Sequence, residues 1–183
     1  MDTAEHLLEK ARRARRDRRF EAAYADLDTL ITMSRSAGDD ALLAKALMRQ
    51  VQIERDRGRL SSAVLVCEEA VRLYRRLGDP MAVAYAVRHL GDTHSERGAF
   101  DEAMPCYEEA LAIYRAVDDP PRMALANALR PMALLHEAQG ANGTALPLWR
   151  EAFDLYDAEG IDTGVAECGI HLTALASVCP PSR

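Results

Sequence analysis

A repeat constrains this chain more than any other feature of its sequence. The segment CEEAVRLYRRLGDP (Cys67–Pro80) returns with few changes as CYEEALAIYRAVDDP (Cys106–Pro120). Three columns keep the same register across most of the chain: Ala23, Ala63, Ala103 and Ala145; then Leu30, Ala70, Ala110 and Ala152; then Ser34, Tyr74, Tyr114 and Tyr156. Positions that recur at steps of 40, 40 and 42 residues indicate stacked copies of one supersecondary unit.

Each repeat is predicted to form two helices joined by a short turn. In the third repeat, apolar residues recur at three- and four-residue spacing after Pro80, Gly98 ends the first helix, and a second helix begins near Asp101. The linkers AGDD, LGDP and VDDPP each carry an Asp suited to a helix N-cap, and Gly38 and Gly78 suit the left-handed turn that ends the preceding helix. One such hairpin cannot cover its own apolar face, so neighbouring hairpins must stack.

The composition favours helices packed through small side chains. Hydrophobic residues make up 49% of the 183 residues but aromatic residues only 5%, so the core must consist of Ala, Leu, Val and Met.

The formal net charge of −6 argues against general binding of nucleic acid or anionic membranes. We find no apolar stretch long enough for a membrane span, no secretory signal at the N-terminus and no metal-type cysteine spacing, and these patterns predict a reduced, cytoplasmic protein.

The repeat resembles a known family. The pattern Leu90-Gly91-x-x-His94, followed by Ala103, Tyr107 and Ala110, resembles the tetratricopeptide repeat. The period of 40–42 residues is similar to that of the long-period variants in kinesin light chain and bacterial regulatory proteins. The resemblance implies an all-α fold, namely a right-handed α-solenoid of about four hairpins and a C-terminal capping helix. We predict one domain over residues 1–183, with repeats at about 3–38, 39–78, 79–118 and 119–160, a closing helix at about 163–178 and a tail at 179–183.

In this family the first helix of each pair lines the concave groove, and the resemblance carries that role to a set of residues here. The predicted partner-binding residues are Arg12, Lys45, Met48, Arg49, Gln52, Tyr85, Arg88, His89, Asp92, Asn127 and Arg130. Arg88 and Arg130 share a column, and their planar donor forks suit carboxylates. The leading hypothesis is therefore a non-catalytic scaffold that binds a peptide or protein segment, with an acidic or C-terminal segment as the specific case.

Two functional readings stay open at this point. The alternative to a scaffold is a sensory module that binds a small signalling peptide or metabolite and shifts an oligomer equilibrium. An enzyme is not predicted, because the sequence contains no phosphate loop, nucleophile elbow or zinc-protease motif. No cofactor and no metal site are predicted: His94 and His136 share a column, and packing is a simpler role for them than metal binding.

Two further sequence features each allow two interpretations. The run KARRARRDRR (Lys10–Arg19) is either a contact surface for nucleic acid or an acidic protein, or a set of cations that complement the dipole of the first helix. In the closing helix, Ile170, Ala174 and Val178 form a second apolar stripe. This stripe either pairs two copies of the chain as a homodimer or is tucked against the fourth repeat.

Overall fold

The computed structural model describes residues 3–178, and this part of the chain is helical without any strand. The helices are α1 (Ala4–Arg16), α2 (Phe20–Ala37), α3 (Asp40–Asp56), α4 (Leu60–Leu77), α5 (Pro80–Glu96), α6 (Phe100–Arg115), α7 (Arg122–Ala138), α8 (Asn142–Ala158) and α9 (Asp162–Val178). The predicted class, an all-α solenoid of helix hairpins with a closing helix, is confirmed. None of the helices within residues 3–178 combines the length and the apolar character that a membrane crossing requires.

The chain divides into two compact units. Unit 1 spans residues 1–99 and contains α1 to α5, and unit 2 spans residues 100–183 and contains α6 to α9. Within each unit, every helix packs against the next one along the chain, and α1 also contacts α3. The organisation as one domain of four repeats stays a prediction.

The small residues of the repeat form the centre of each hairpin. Ala23 and Ala63 in unit 1, and Ala103 and Ala145 in unit 2, have no solvent-exposed surface. A side chain that consists of one methyl group lets two helix backbones approach closely. Trp149, four residues after Ala145 in α8, is also fully buried. This column of the repeat therefore lies in the core of both units.

Two of the three predicted linkers have the expected caps, and the third does not. Gly38 and Gly78 each adopt a φ of 67° at the end of a helix, and the side chains of Asp39 and Asp79 accept hydrogen bonds from backbone N–H groups in the first turns of α3 and α5. In the linker VDDPP neither Asp caps α7; Pro121 occupies the cap position without a side-chain hydrogen bond. A proline disfavours helical backbone in the residue before it, so two successive prolines delay the helix until Arg122.

The closing helix α9 packs on α8 through one side only. Cys168 and Leu175 are buried, and Gly164 lies so close to α8 that an added Cβ would stand 2.5 Å from a ring carbon of Tyr156. On the other side, Ile170 is 69% exposed. The tail at 179–183 and the side chain of Val178 lie outside the described residues.

Candidate partner-binding surface

Two adjacent depressions lie along the first helices of unit 1. One depression, of about 420 Å³, lies between α1 and α3 and is lined by Glu5, Leu8, Glu9, Arg12 and Arg49. A second, of about 180 Å³, is lined by Leu8, Lys45, Met48, Arg49, Tyr74 and Tyr85 and reaches α5. Because the two depressions share Leu8 and Arg49, we treat them as one surface and call it the trough.

The second depression combines an apolar floor with a cationic rim. Met48 and Tyr74 are buried and Leu8 is half-buried, whereas Lys45 is exposed. Burial raises the pKa of the Tyr74 hydroxyl to about 12, and the neighbouring charge of Arg49 opposes that shift. Arg49 therefore lies near the tyrosine hydroxyl at the edge of the floor. This arrangement suits a ligand that presents an apolar side chain next to a negative charge.

The two cations of the rim are available for binding. Lys45 and Arg49 are four residues apart on α3, so they project from the same face of the helix. Within the described part of the chain, neither forms an ion pair. Arg12, by contrast, is held by Glu9 through two hydrogen bonds of 2.7 and 2.8 Å. These hydrogen bonds, together with one from Arg13, lower the pKa of Glu9 to about 2.

A polar cluster lies beside the trough, between α3 and α5. The Arg88 guanidinium donates to Asp92 at 2.9 Å and also lies 2.9 Å from Nε2 of His89. Nδ1 of His89 lies 3.3 Å from the Asp92 carboxylate and 3.3 Å from Arg55. Arg55 in turn forms a bidentate pair with Glu96 at 2.5 and 3.2 Å.

The hydrogen bonds of this cluster fix the protonation of the histidine. Arg88, at 2.9 Å, can only donate, so Nε2 of His89 accepts and Nδ1 carries the proton that faces Asp92. Arg55 also can only donate, so its approach to Nδ1 at 3.3 Å is then a contact between two donors, and Arg55 donates its hydrogen bonds to Glu96. Burial lowers the pKa of His89, and the charges of Arg88 and Arg55 lower it further, against the opposing effect of Asp92. The pKa of Asp92 is also lowered: burial acts in the opposite direction, but the hydrogen bond from His89 and the two arginines outweigh it. The cluster is a neutral imidazole between two arginines.

Gln52 and Tyr85, two further predicted residues of unit 1, lie next to the polar cluster. Gln52 lies with its amide nitrogen 3.5 Å from the Tyr85 hydroxyl, and Tyr85 meets His89 edge to face at a centroid distance of 4.5 Å. Gln52 and His89 also line a third depression, of about 320 Å³, together with Arg15, Arg55, Asp56 and Glu96. Tyr85 thus contacts both the trough and the polar cluster.

The two predicted residues of unit 2 have partners within that unit. Arg130 forms a bidentate pair with Glu167 of α9 at 2.6 and 2.7 Å, and this hydrogen bonding raises the pKa of Arg130. Asn127 accepts a hydrogen bond of 2.9 Å from the Tyr156 hydroxyl. Both side chains connect α7 to the next helices. Glu137 acts similarly, since it accepts from Trp149 at 3.0 Å and faces His171 at 2.8 Å.

Sequence reasoning missed Arg55 and Tyr74. Arg55 stands seven residues after Met48 and so belongs to the same face of α3, a spacing that could have identified it. Tyr74 was recognised as a repeat position, but its helix is the second of its hairpin, and nothing in the spacing indicates that its ring reaches the first-helix side. No group of three or more His, Cys, Asp or Glu side chains is arranged to hold a metal within residues 3–178.

Comparison with known proteins identifies the fold. Residues 80–158 match the family model of the tetratricopeptide repeat. The chain is similar to a solved structure of nearly identical TPR-like repeats from Podosopora anserina, assigned as kinesin light chain, with a TM-score of 0.70 and 15% identity over 99% of this chain and 100% of that one. No curated protein matches the sequence.

Two other solved structures have the same fold. BtubC from P. vanneervenii aligns with a TM-score of 0.59 and 17% identity, over 98% of this chain and 92% of that chain. A signal transduction ATPase from Pyrococcus horikoshii, described as having a tetratricopeptide repeat sensor, aligns with a TM-score of 0.65 and 17% identity. That alignment covers 98% of this chain and 34% of the ATPase.

Proposed function

We propose that this chain is a non-catalytic interaction module whose trough binds an acidic segment of another protein. Residues 80–158 match the family model of the tetratricopeptide repeat, and solved repeat proteins share the fold of the chain. Proteins of this family bind other proteins or peptides, and this supports the general role of an interaction scaffold. The location of the binding surface and the chemistry of the bound segment are the specific parts of the proposal.

One observation carries the proposal: two unpaired cations stand beside an apolar depression. Lys45 and Arg49 form no ion pair within residues 3–178, and the floor next to them is formed by Leu8, Met48 and Tyr74. A carboxylate near Lys45 and Arg49, with an apolar side chain over Met48, would satisfy both parts of the surface. The helices hold these groups in place before binding, which limits the ordering cost of association.

Arg88 and Arg130, which share a column of the repeat, are not the primary contacts in this proposal. Arg88 is hydrogen-bonded to Asp92, and Arg130 to Glu167, so either would have to exchange an internal carboxylate for an external one. Such an exchange gives little net electrostatic gain. We therefore assign the primary contact to Lys45 and Arg49, and an auxiliary contact to Arg88.

The alternative, a sensor for a small metabolite, receives less support from the shape and polarity of the surface. Pockets for small molecules are mostly apolar and enclose most of the ligand. The larger depression of the trough is lined by four charged residues and one leucine, and the apolar one measures only about 180 Å³. An extended peptide that follows the surface fits these dimensions better.

Selection of peptides by display on the immobilised chain tests the proposal. We expect enrichment of sequences with Asp or Glu adjacent to Leu, Met or Phe, and loss of binding in the double variant Lys45→Glu/Arg49→Glu. Arg72→Glu/Arg76→Glu on α4 is the control, because it makes the same change in charge on the second helix of the same hairpin. Equal binding by the wild type and the trough variant would refute the assignment of the trough.

A further inference from the structure

A second group of arginines lies at the edge of unit 1 where the hairpins turn. Arg16 ends α1, Arg18 and Arg19 lie in the turn that follows it, and Arg57 and Arg59 lie in the turn between α3 and α4. We call these five residues the arginine edge. Its members are exposed except Arg57, which is half-buried. None of them lines the trough.

Arg18 has a backbone conformation that arginine rarely adopts. Its φ is 58°, and among residues 3–178 it is the only residue other than glycine with a positive φ. The turns 40, 80 and 122 residues later place Gly58, Gly98 and Gly140 at the equivalent position, with φ between 70° and 76°. Glycine is the residue that this conformation favours, because a Cβ crowds the backbone there. The first repeat thus carries an arginine where the fold prefers glycine.

The arginine edge is organised around two aromatic rings. The Arg18 guanidinium lies 5.7 Å from the centre of the Phe20 ring, and Arg57 lies 5.8 Å from the same ring and 5.6 Å from that of Tyr24. The Tyr24 hydroxyl donates to the buried carboxylate of Glu54, which anchors the ring. Stacking on fixed rings orients the guanidinium groups before any ligand binds.

Arg59 belongs to the same environment. Burial raises the pKa of Tyr24 to about 12, and the hydrogen bond to Glu54 adds to the shift, while the charges of Arg59 and Arg57 oppose it. The positive charges of both arginines therefore act on the tyrosine hydroxyl. The two turns contribute to one positive surface.

Internal carboxylates neutralise only part of this surface. Arg19 pairs with Asp17 at 2.9 Å, and Arg57 pairs with Glu21 at 3.2 Å. Arg16, Arg18 and Arg59 form no ion pair within the described residues. Glu54, which accepts from Tyr24, is a further carboxylate beside these arginines. Five arginines against Asp17, Glu21 and Glu54 leave a local excess of positive charge in a chain whose net charge is −6.

We propose that the arginine edge binds a carboxylate-rich segment of a protein, at a surface separate from the trough. Guanidinium groups present two parallel N–H donors that match a carboxylate. Single-stranded nucleic acid fits less well, because bases stack on open aromatic faces, and here arginines stack on both Phe20 and Tyr24. The guanidinium of Arg18, at the position where the later turns have glycine, completes this surface.

Binding of a fluorescent decaglutamate peptide, followed by anisotropy at low and at physiological salt, tests this proposal. We expect salt-sensitive binding by the wild type and a loss of at least about tenfold in affinity for Arg18→Gly/Arg59→Gln, since two charge-assisted contacts are removed. The matched trough variant, Lys45→Gln/Arg49→Gln, removes the same charge and should lose less than about threefold, because decaglutamate has no apolar anchor. A larger loss in the trough variant than in the edge variant would overturn the proposal, whatever the trough itself binds.

Two further measurements separate this role from its competitors. Arg18→Gly should melt no lower than the wild type, because glycine adopts positive φ readily; a lower melting temperature with unchanged decaglutamate affinity would make Arg18 a structural residue and overturn the proposal. A deoxythymidine oligonucleotide of matched charge should bind more weakly than decaglutamate. Tighter binding of the oligonucleotide through the same arginines would contradict the assignment of a protein ligand.

Discussion

His89 shows how its neighbours set the protonation state of a single residue. It is a neutral imidazole with Arg88 on one nitrogen and Asp92 on the other, and Arg55 approaches from α3. Protonation would place a third positive charge between the two arginines and leave Nε2 and Arg88 as two donors facing each other. The structure therefore favours the neutral form.

This arrangement predicts a pH dependence of stability. Because the pKa of His89 is lower in the folded chain than the value of about 6.5 expected when unfolded, the unfolded state takes up the proton first. The contribution of neutral His89 to the free energy of unfolding is fully present above the pKa of the unfolded state. It is lost as the pH falls through the pKa of the folded state. We expect the urea concentration at the midpoint of unfolding to decrease as the pH is lowered from neutral to the value at which Asp92 begins to protonate.

The variant His89→Gln cannot be protonated in this range, so its urea midpoint should change less over the same interval. His6→Gln is the control, since His6 is an exposed residue of α1. An identical pH profile for the wild type and His89→Gln would show that another group is responsible.

The availability of each cation could be predicted only in part from the sequence. Asp92 stands four residues after Arg88 on one helix, a spacing that already indicates an ion pair. Glu167, which holds Arg130, lies 37 residues away on another helix, and no local pattern connects them. The columns of the repeat locate side chains on a face but do not show which of them have partners.

At the scale of the helices, the repeat columns predicted most of what the structure shows. The alanines at steps of 40 and 42 residues are buried in the cores of the two units, and the glycine-containing linkers have the expected caps. The third linker differs because two prolines, Pro120 and Pro121, determine where α7 begins. The exposed face of α9 follows its predicted second stripe, since Ile170 and Ala174 are both exposed.

The crossing of α8 and α9 gives a direct test of helix packing. In Gly164→Ala the new methyl group would meet three ring carbons of Tyr156 at 2.5 to 2.8 Å, so one of the helices must shift. We expect the free energy of unfolding to fall by about 1–3 kcal/mol, the usual effect of overpacking. Denaturant titration measures this change.

Gly169→Ala is the matched control in the same helix. An added Cβ at Gly169 meets no atom within 4 Å, so helix propensity alone predicts a stabilisation of up to about 1 kcal/mol. If Gly164→Ala were as stable as Gly169→Ala, the close approach of the two helices would be wrong.

At the scale of the whole molecule, charge is distributed unevenly. Residues 1–99 carry 18 Lys and Arg against 16 Asp and Glu, whereas residues 100–183 carry 5 against 13, which gives net charges of +2 and −8. An acidic ligand is therefore attracted to unit 1 and repelled by unit 2. Both surfaces that we propose for acidic segments, the trough and the arginine edge, lie on the positive unit.

The closing helix predicts self-association. Ile170 is 69% exposed on a face of α9 that we propose pairs with the same face of a second copy. We expect a dimer by light scattering at micromolar concentration, and a monomer for Ile170→Glu. Leu65→Glu on α4 is the control, because Leu65 is 67% exposed and lies outside α9. A monomeric wild type would contradict the homodimer.

The central claim is that the trough of unit 1 is the surface that binds a partner segment. Methyl NMR of the methionines, during titration with an acidic peptide obtained by selection on the chain, tests it most directly. Met48 lies in the floor of the trough, and Met132 is a buried methionine of unit 2. We predict a saturable shift of the Met48 resonance while that of Met132 stays in place. A shift of Met132 with an unchanged Met48 would contradict the claim.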